Sequence, residues 1–181
     1  MTAVGVAGHR FLAEVEKVKA GIEEALDAVG SKELTVMSSL AEGSDRMAAE
    51  AVLARDGGRL VAVLPLPAED YATDFASEES RAEFGGLLDR ADEIVVLGKA
   101  ESREHAYEAA GRYVAEKCDV LLVVWDGRPA QGRGGVAGVV EVARSGGKPV
   151  AWVHAGNRRP GTSAPTSLGA EQGVVTYEGL P

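Results

Sequence analysis

The chain has one cysteine, Cys118, among 181 residues, which excludes an internal disulfide framework. Its three histidines, His9, His105 and His154, show no metal-ligand spacing, and one thiolate cannot build a structural zinc site. No apolar run approaches the ~20 residues of a membrane span, so no membrane partner is expected. The start, MTAVGVAGHRF, lacks a basic segment followed by a long apolar one. No secretion signal is therefore expected, and the expected location is the cytoplasm. Basic residues are in deficit: 19 Lys and Arg stand against 28 Asp and Glu, a net charge of -9, with a pI of about 4.9. Proteins that bind nucleic acid by neutralising phosphates carry a basic footprint. The expectation from charge is that nucleic acid is not a partner.

What is present is apolar residue and glycine. At 45% hydrophobic residues the chain can bury a full core. Apolar runs of strand length recur at 3–8, 34–39, 59–65, 93–98, 119–125 and 149–154. Most are valine-rich and apolar at consecutive positions, the pattern of parallel strands covered on both faces. Helical patterns lie between them. In 14–29, Val15, Val18, Ile22, Leu26 and Val29 share one face, and Gly30 supplies a stop. Residues 44–55 read as a helix with Ser44 as its N-cap, and 78–90, 104–117 and 136–145 read as three more. The fold class predicted is α/β, a three-layer α/β/α sandwich with a mainly parallel, Rossmann-like sheet. Residues 1–154 are expected to form this nucleotide-binding domain. Residues 155–181 are expected to be a flexible tail, with GVVTY (173–177) as an added edge strand. Residues 66–78, acidic and holding Pro67, read as a lid or crossover loop. Tyr71 and Phe75 in it would either stack on a base or pack the lid. Trp125 and Trp152 read as core, Cys118 as a small buried residue, and Arg112 as part of a solvated helix face.

Ligands in such folds sit beyond the carboxyl ends of the strands. Three loops there combine glycine with polar residues. After the first strand come Gly8, His9 and Arg10, a glycine turn with two donors for phosphate. After the second come Ser38, Ser39 and Gly43, small residues at a helix start that suit an anion; Glu42 and Asp45 there could accept ribose hydroxyls. After the fifth come Asp126, a ribose or metal ligand by its chemistry, then Arg133, Gly134 and Gly135, a phosphate clamp and cradle. Glu141 follows on the next helix as the candidate catalytic carboxylate. None of the loops is a strict dinucleotide-binding or P-loop pattern, and the sequence calls for no cofactor and no metal.

VGVAGHR, VMSSLAEGSDRMAAEA and LVAVLP together resemble the DNA-processing protein A (DprA, or Smf) family, with its VG-[ST]-R loop, SGLAxGID helix start and IAVL strand. DVLLVVW and GGVAGVVE are similar to the later strand and PGGxGTxxE motif of the LOG family. Both belong to the SLOG superfamily, and the resemblance covers roughly residues 3–154. It implies a Rossmann-like domain that senses or processes nucleotides, as some bacterial defence proteins do. Its partner would be a nucleotide, an ADP-ribose-like metabolite or another phosphoribosyl-type small molecule, and dimers among related proteins imply a homodimer. LOG enzymes cleave the N-glycosidic bond of nucleoside 5′-monophosphates, and Gly134, Gly135 and Glu141 match their motif. Ala137 and Gly138 fall where that motif has Gly and Thr, and Arg133 replaces its proline. Ala110 stands where those enzymes carry a helix arginine, with Arg112 two positions on. These departures move the expectation from catalysis toward binding. The DprA resemblance implies single-stranded DNA binding, against which the net charge stands.

Overall fold

The computed structural model describes residues 1–129, 133–157 and 166–180. Among the described residues, seven strands form one sheet. They are β1 (Thr2–Gly8), β2 (Leu34–Ser38), β3 (Arg59–Leu64), β4 (Glu93–Val96), β5 (Val120–Trp125), β6 (Val150–His154) and β7 (Val175–Glu178). Their spatial order is β4-β3-β2-β1-β5-β6-β7. Every pairing is parallel except β7, which runs antiparallel to β6. The helices are α1 (Val15–Val29), α2 (Ser44–Leu53), α3 (Ala68–Ala72), α4 (Glu78–Asp89), α5 (Arg103–Lys117) and α6 (Val136–Ser145). This is the α/β Rossmann-like arrangement that the strand-helix alternation predicts.

Consecutive apolar residues are needed because the sheet is covered twice. On β5, Leu122 and Val124 face one core with α1, α2 and α4, packed by Ile22, Leu26, Val52 and Phe84. Leu121, Val123 and Trp125 face the other core with α5 and α6, packed by Val114, Val139 and Val140. Both cores form because a parallel strand in mid-sheet has no solvent face. At the edge this protection ends. β4 is shorter than its apolar run and is not covered on both faces: Ile94 is 49% and Val96 47% exposed. At the other edge, Gln172 ties the segment before β7 to the domain. Its Oε1 accepts from Gly156 N (3.0 Å) and its Nε2 donates to Ala13 O (2.9 Å). Of the tail expected to be flexible, residues 158–165 lie outside the described residues.

Two local expectations are corrected. Ser44 is the first residue of α2, not its cap; Gly43 holds the cap position with φ +82°. The Ser44 hydroxyl instead donates to His9 O at 2.7 Å. The acidic segment 66–78 holds a short helix, α3, and its aromatics are core. Phe75 is 1% exposed and packs 5.1 Å from both Tyr71 and Phe84, centroid to centroid. The Arg46 guanidinium lies over the Phe75 ring at 4.6 Å. Burial of a ring in a loop between helices fixes that loop against the sheet. Phe75→Ala is accordingly expected to cost about 3–5 kcal/mol, read as a fall in the urea midpoint; a loss under about 1 kcal/mol would mean that the segment is not anchored there.

Candidate functional site

The chain order reverses between β1 and β5, since β2 to β4 lie on one side of β1 and β5 to β7 on the other. Loops leaving two such strands diverge to opposite faces and leave a crevice. A cavity of about 210 Å³ occupies that place, walled by Gly8, Arg10, Ser39, Asp45, Tyr107 and Gly134, among others. A larger groove of about 940 Å³ runs between α1, α2 and α4.

His9 holds the three loops together. Its backbone N donates to Val124 O (3.0 Å) and its carbonyl accepts from Ser44 N (3.2 Å) as well as the Ser44 hydroxyl. Its ring Nε2 accepts from Asp126 N at 3.1 Å. The same Nε2 lies 3.4 Å from Asp126 Oδ1. The loops meet closely because two positions lack a Cβ. One added at Gly8 would lie 2.6 Å from Ser44 Cβ, and one at Gly43 would lie 2.4 Å from Arg10 O. Gly43 also requires its positive φ, which a side chain would strain.

The second loop satisfies its own donors. Ser38 is fully buried; its Oγ accepts from Leu40 N (3.0 Å) and contacts Asp45 O at 3.4 Å. Leu40 sits at φ +57°, and Arg46 Nε donates to its carbonyl at 3.1 Å. Asp45 Oδ2 accepts from Ala41 N at 3.3 Å. Amides that would meet a phosphate in a free anion loop are thus taken up by Ser38 and Asp45. Asp45 is 7% exposed, and burial pushes its carboxyl up to about 7. Burial and the nearby Asp45 charge push the Tyr71 hydroxyl up as well, which keeps it neutral.

At the mouth, Arg10 Nη2 donates to Glu42 Oε2 at 2.9 Å, and its side chain is 40% exposed. The far wall is a network between α3 and α5. Arg103 donates to Asp70 (2.7 Å) and Asp74 (2.9 Å), and Tyr107 donates its hydroxyl to Asp74. The third loop contributes less than its composition implies. Asp126 Oδ1 accepts from Arg128 N at 3.0 Å, closing its own turn. Arg133 pairs with Glu108 at 3.1 Å. Gly134, at φ +72°, packs beside Tyr107 and Glu108. Residues 130–132 of this loop lie outside the described residues. Glu141 is exposed and lines a separate outer groove between α5 and α6 with Arg112, Arg133 and Gly135.

Of the residues picked from the sequence, Gly8, Arg10, Ser39 and Gly134 converge on the cavity. His9, Ser38 and Asp126 act as loop fasteners, Gly43 faces the larger groove, and Arg133, Gly135 and Glu141 face the outer one. The Asp74–Tyr107 wall was not anticipated. Its signal was slight: Asp70 and Asp74, and Arg103 and Tyr107, are each four apart and so share a helix-like face. Among the described residues no group of three or more His, Cys, Asp or Glu is placed to hold a metal, and no helix is long and apolar enough to cross a membrane.

No protein-family model and no curated relative matches the sequence. Solved structures do match. DNA processing protein A (DprA) from Streptococcus pneumoniae aligns over 83% of this chain and 49% of its own, at 25% identity and a TM-score of 0.55. The Helicobacter pylori DNA processing protein A, described for its single-stranded DNA binding mode, aligns over 82% of this chain and 63% of its own, at 17% identity and a TM-score of 0.57. The chain thus spans about half the length of the first and under two thirds of the second. These likenesses weaken the expectation, drawn from net charge, that nucleic acid is not a partner.

The buried carboxyl has a consequence for stability. Its folded pKa of about 7 lies above the ordinary 3.8, so between these values the folded chain binds a proton that the unfolded chain releases. Asp45 therefore lowers stability as pH rises, by up to about 1.4 kcal/mol per pH unit in that window. Asp45→Asn should gain on the wild type in urea melts at pH 8 relative to pH 5. Identical pH slopes for the two proteins would show instead that Asp45 titrates as a surface carboxylate.

Proposed function

We propose, from the premise that this chain is a Rossmann-like domain of the SLOG superfamily, that it binds a phosphorylated nucleoside in the cavity at the β1/β5 crevice. The observation that carries this reading is a cavity at the strand carboxyl ends with Arg10 at its mouth and the start of α6 beside it. The first turn of α6 has no side-chain cap and no acidic residue, whereas the first turn of α2 holds Asp45. Helix starts attract anions through free N–H groups and the helix dipole. The phosphate is accordingly assigned to the mouth, between Arg10, Gly134 and the N-terminus of α6. Among the described residues the interior has Asp45 and Asp74 and no cation apart from Arg10, so it suits the hydroxyls and N–H groups of the nucleoside. At about 210 Å³ it is smaller than the ~300 Å³ at which drug-sized sites begin, and so would take one ring system of the ligand.

The reading is one of binding rather than hydrolysis, because Glu141 lies on the outer groove, remote from Asp45 and Ser39. A second reading is favoured by the likeness to DprA: the nucleoside in the cavity would belong to a single DNA strand.

One experiment addresses both. A thermal-shift series with nucleoside monophosphates, ADP-ribose and a short single-stranded oligonucleotide should show stabilisation by at least one monophosphate or ADP-ribose, about 2.7 kcal/mol at 100 times Kd. Arg10→Ala should weaken that ligand roughly tenfold or more through loss of a charge-assisted hydrogen bond. Stabilisation by the oligonucleotide alone, steeply lost with salt, would select the second reading. No shift with any of the compounds would refute both.

A further inference from the structure

The mouth of the cavity holds one cation and two claimants for it. Among the described residues, Arg10 is the only Lys or Arg that lines the cavity, and Glu42 already occupies it, accepting from Nη2 at 2.9 Å. The pair is placed by the backbone. Gly43, the residue after Glu42, packs so closely on the first loop that a Cβ there would lie 2.4 Å from Arg10 O and 2.8 Å from His9 O. The two loops therefore touch where Glu42 leaves the chain. Glu42 is also held from behind. Its Oε1 accepts from the Ser80 hydroxyl, and Ser80 Oγ accepts from Arg46 Nη1 at 3.0 Å. Arg46 in turn is fixed by Leu40 O at 3.1 Å and by the Phe75 ring. Partial burial pushes the Glu42 carboxyl up, but the Ser80 hydroxyl and the Arg10 guanidinium outweigh it and hold the carboxyl below its ordinary range. Glu42 is therefore an anion at neutral pH, in a fixed place.

We infer that Glu42 is a specificity-determining residue of the site: it competes with the ligand's phosphate for Arg10, so that phosphate is taken up when a nucleoside comes with it and free phosphate is turned away. This rests on the assignment of the phosphate to the cavity mouth. The five N–H groups of a guanidinium could serve a carboxylate and a phosphate together, but its single charge cannot neutralise both. A second anion beside Glu42 meets a repulsion of the same order as the attraction that draws it, since both charges lie close by. Inorganic phosphate gains at Arg10 little more than Glu42 gives up. A phosphorylated nucleoside gains as well from the ring that fills the cavity, which Glu42 does not contest. Displaced from Arg10, Glu42 keeps Ser80, so the exchange leaves no carboxylate without a partner. The side chains of the pair are 40% and 26% exposed, and such a pair is worth a factor of up to about 5. With the repulsion lifted too, removing the charge of Glu42 should tighten phosphate roughly tenfold.

Glu42→Gln tests this, because the amide keeps an oxygen for Ser80 and loses the charge. Equilibrium dialysis with radiolabelled inorganic phosphate, at fixed ionic strength, should show tighter binding to Glu42→Gln than to the wild type by that factor. Glu42→Ala should show the same gain, and Arg10→Ala added to Glu42→Gln should abolish it. Nucleoside monophosphates should gain by a like factor, and the unphosphorylated nucleoside not at all. Phosphate held no more tightly by either Glu42 variant, or a gain that survives Arg10→Ala, would overturn the inference. An Arg10-dependent gain for inorganic phosphate in a protein that binds no nucleotide would uphold the competition and refute the nucleoside site. Nucleotide binding of equal affinity in wild type and Glu42→Gln, with no gain for phosphate, would do the reverse.

Discussion

His9 is the point on which the site depends. Its amide is bonded to β5, its carbonyl to the start of α2 and its ring to the backbone of Asp126. Three loops far apart in the chain are thereby held against one residue. The parallel pairing of Val4–Gly8 with Val120–Val124 aligns the strands, but it is the His9 bonds that bring the loops together. Gly8 and Gly43 are conditions of that closeness, since neither position has room for a methyl group.

The same closeness explains the electrostatics. Packing α2 against the end of β1 buries Asp45, and the backbone amide of Ala41 with the Ser38 hydroxyl does not offset the lost hydration. A buried carboxyl held near neutrality can present either a donor or an acceptor with little cost in free energy. The acidic surplus of the chain is therefore not only a solvated surface. Part of it, Asp45 and Asp74, is turned inward to wall the cavity, while Arg10 is retained at the mouth by Glu42.

The fold was legible because valine-rich runs without polar alternation have one economical arrangement, a sheet covered on both faces. The positions of the loops followed from it. The roles of individual polar residues did not, because they depend on where each hydrogen bond is spent. Ser38 and Asp126 have the chemistry to bind a ligand, yet Leu40 and Arg128 supply the amides that occupy them. Glu141 lies apart from the cavity for a geometric reason. Val139 of α6 faces the cavity, and Glu141, two residues on, is rotated about 200° from it at ~100° per residue. The Asp74–Tyr107 wall joins residues 33 apart in sequence, and no local pattern connects them. The failure of β4 to be covered on both faces reflects its place at the end of the order, which strand composition alone does not reveal.

The central place of β1 also has a meaning in time. Its neighbour β5 ends at Trp125, and Ala3 donates its amide to Asp119, 116 residues further along. On a chain growing from its N-terminus, β1 to β4 can assemble first, with β1 as their outermost strand. Until Val120–Val124 emerge, Val4 and Val6 belong to an open edge. Non-local pairing of this kind slows folding, and exposed strand edges in partly made chains invite association. The strand at the middle of the finished sheet is thus the most vulnerable one during synthesis. A ribosome pausing before β5 has left its exit tunnel would prolong that exposure, and one pausing afterwards would not.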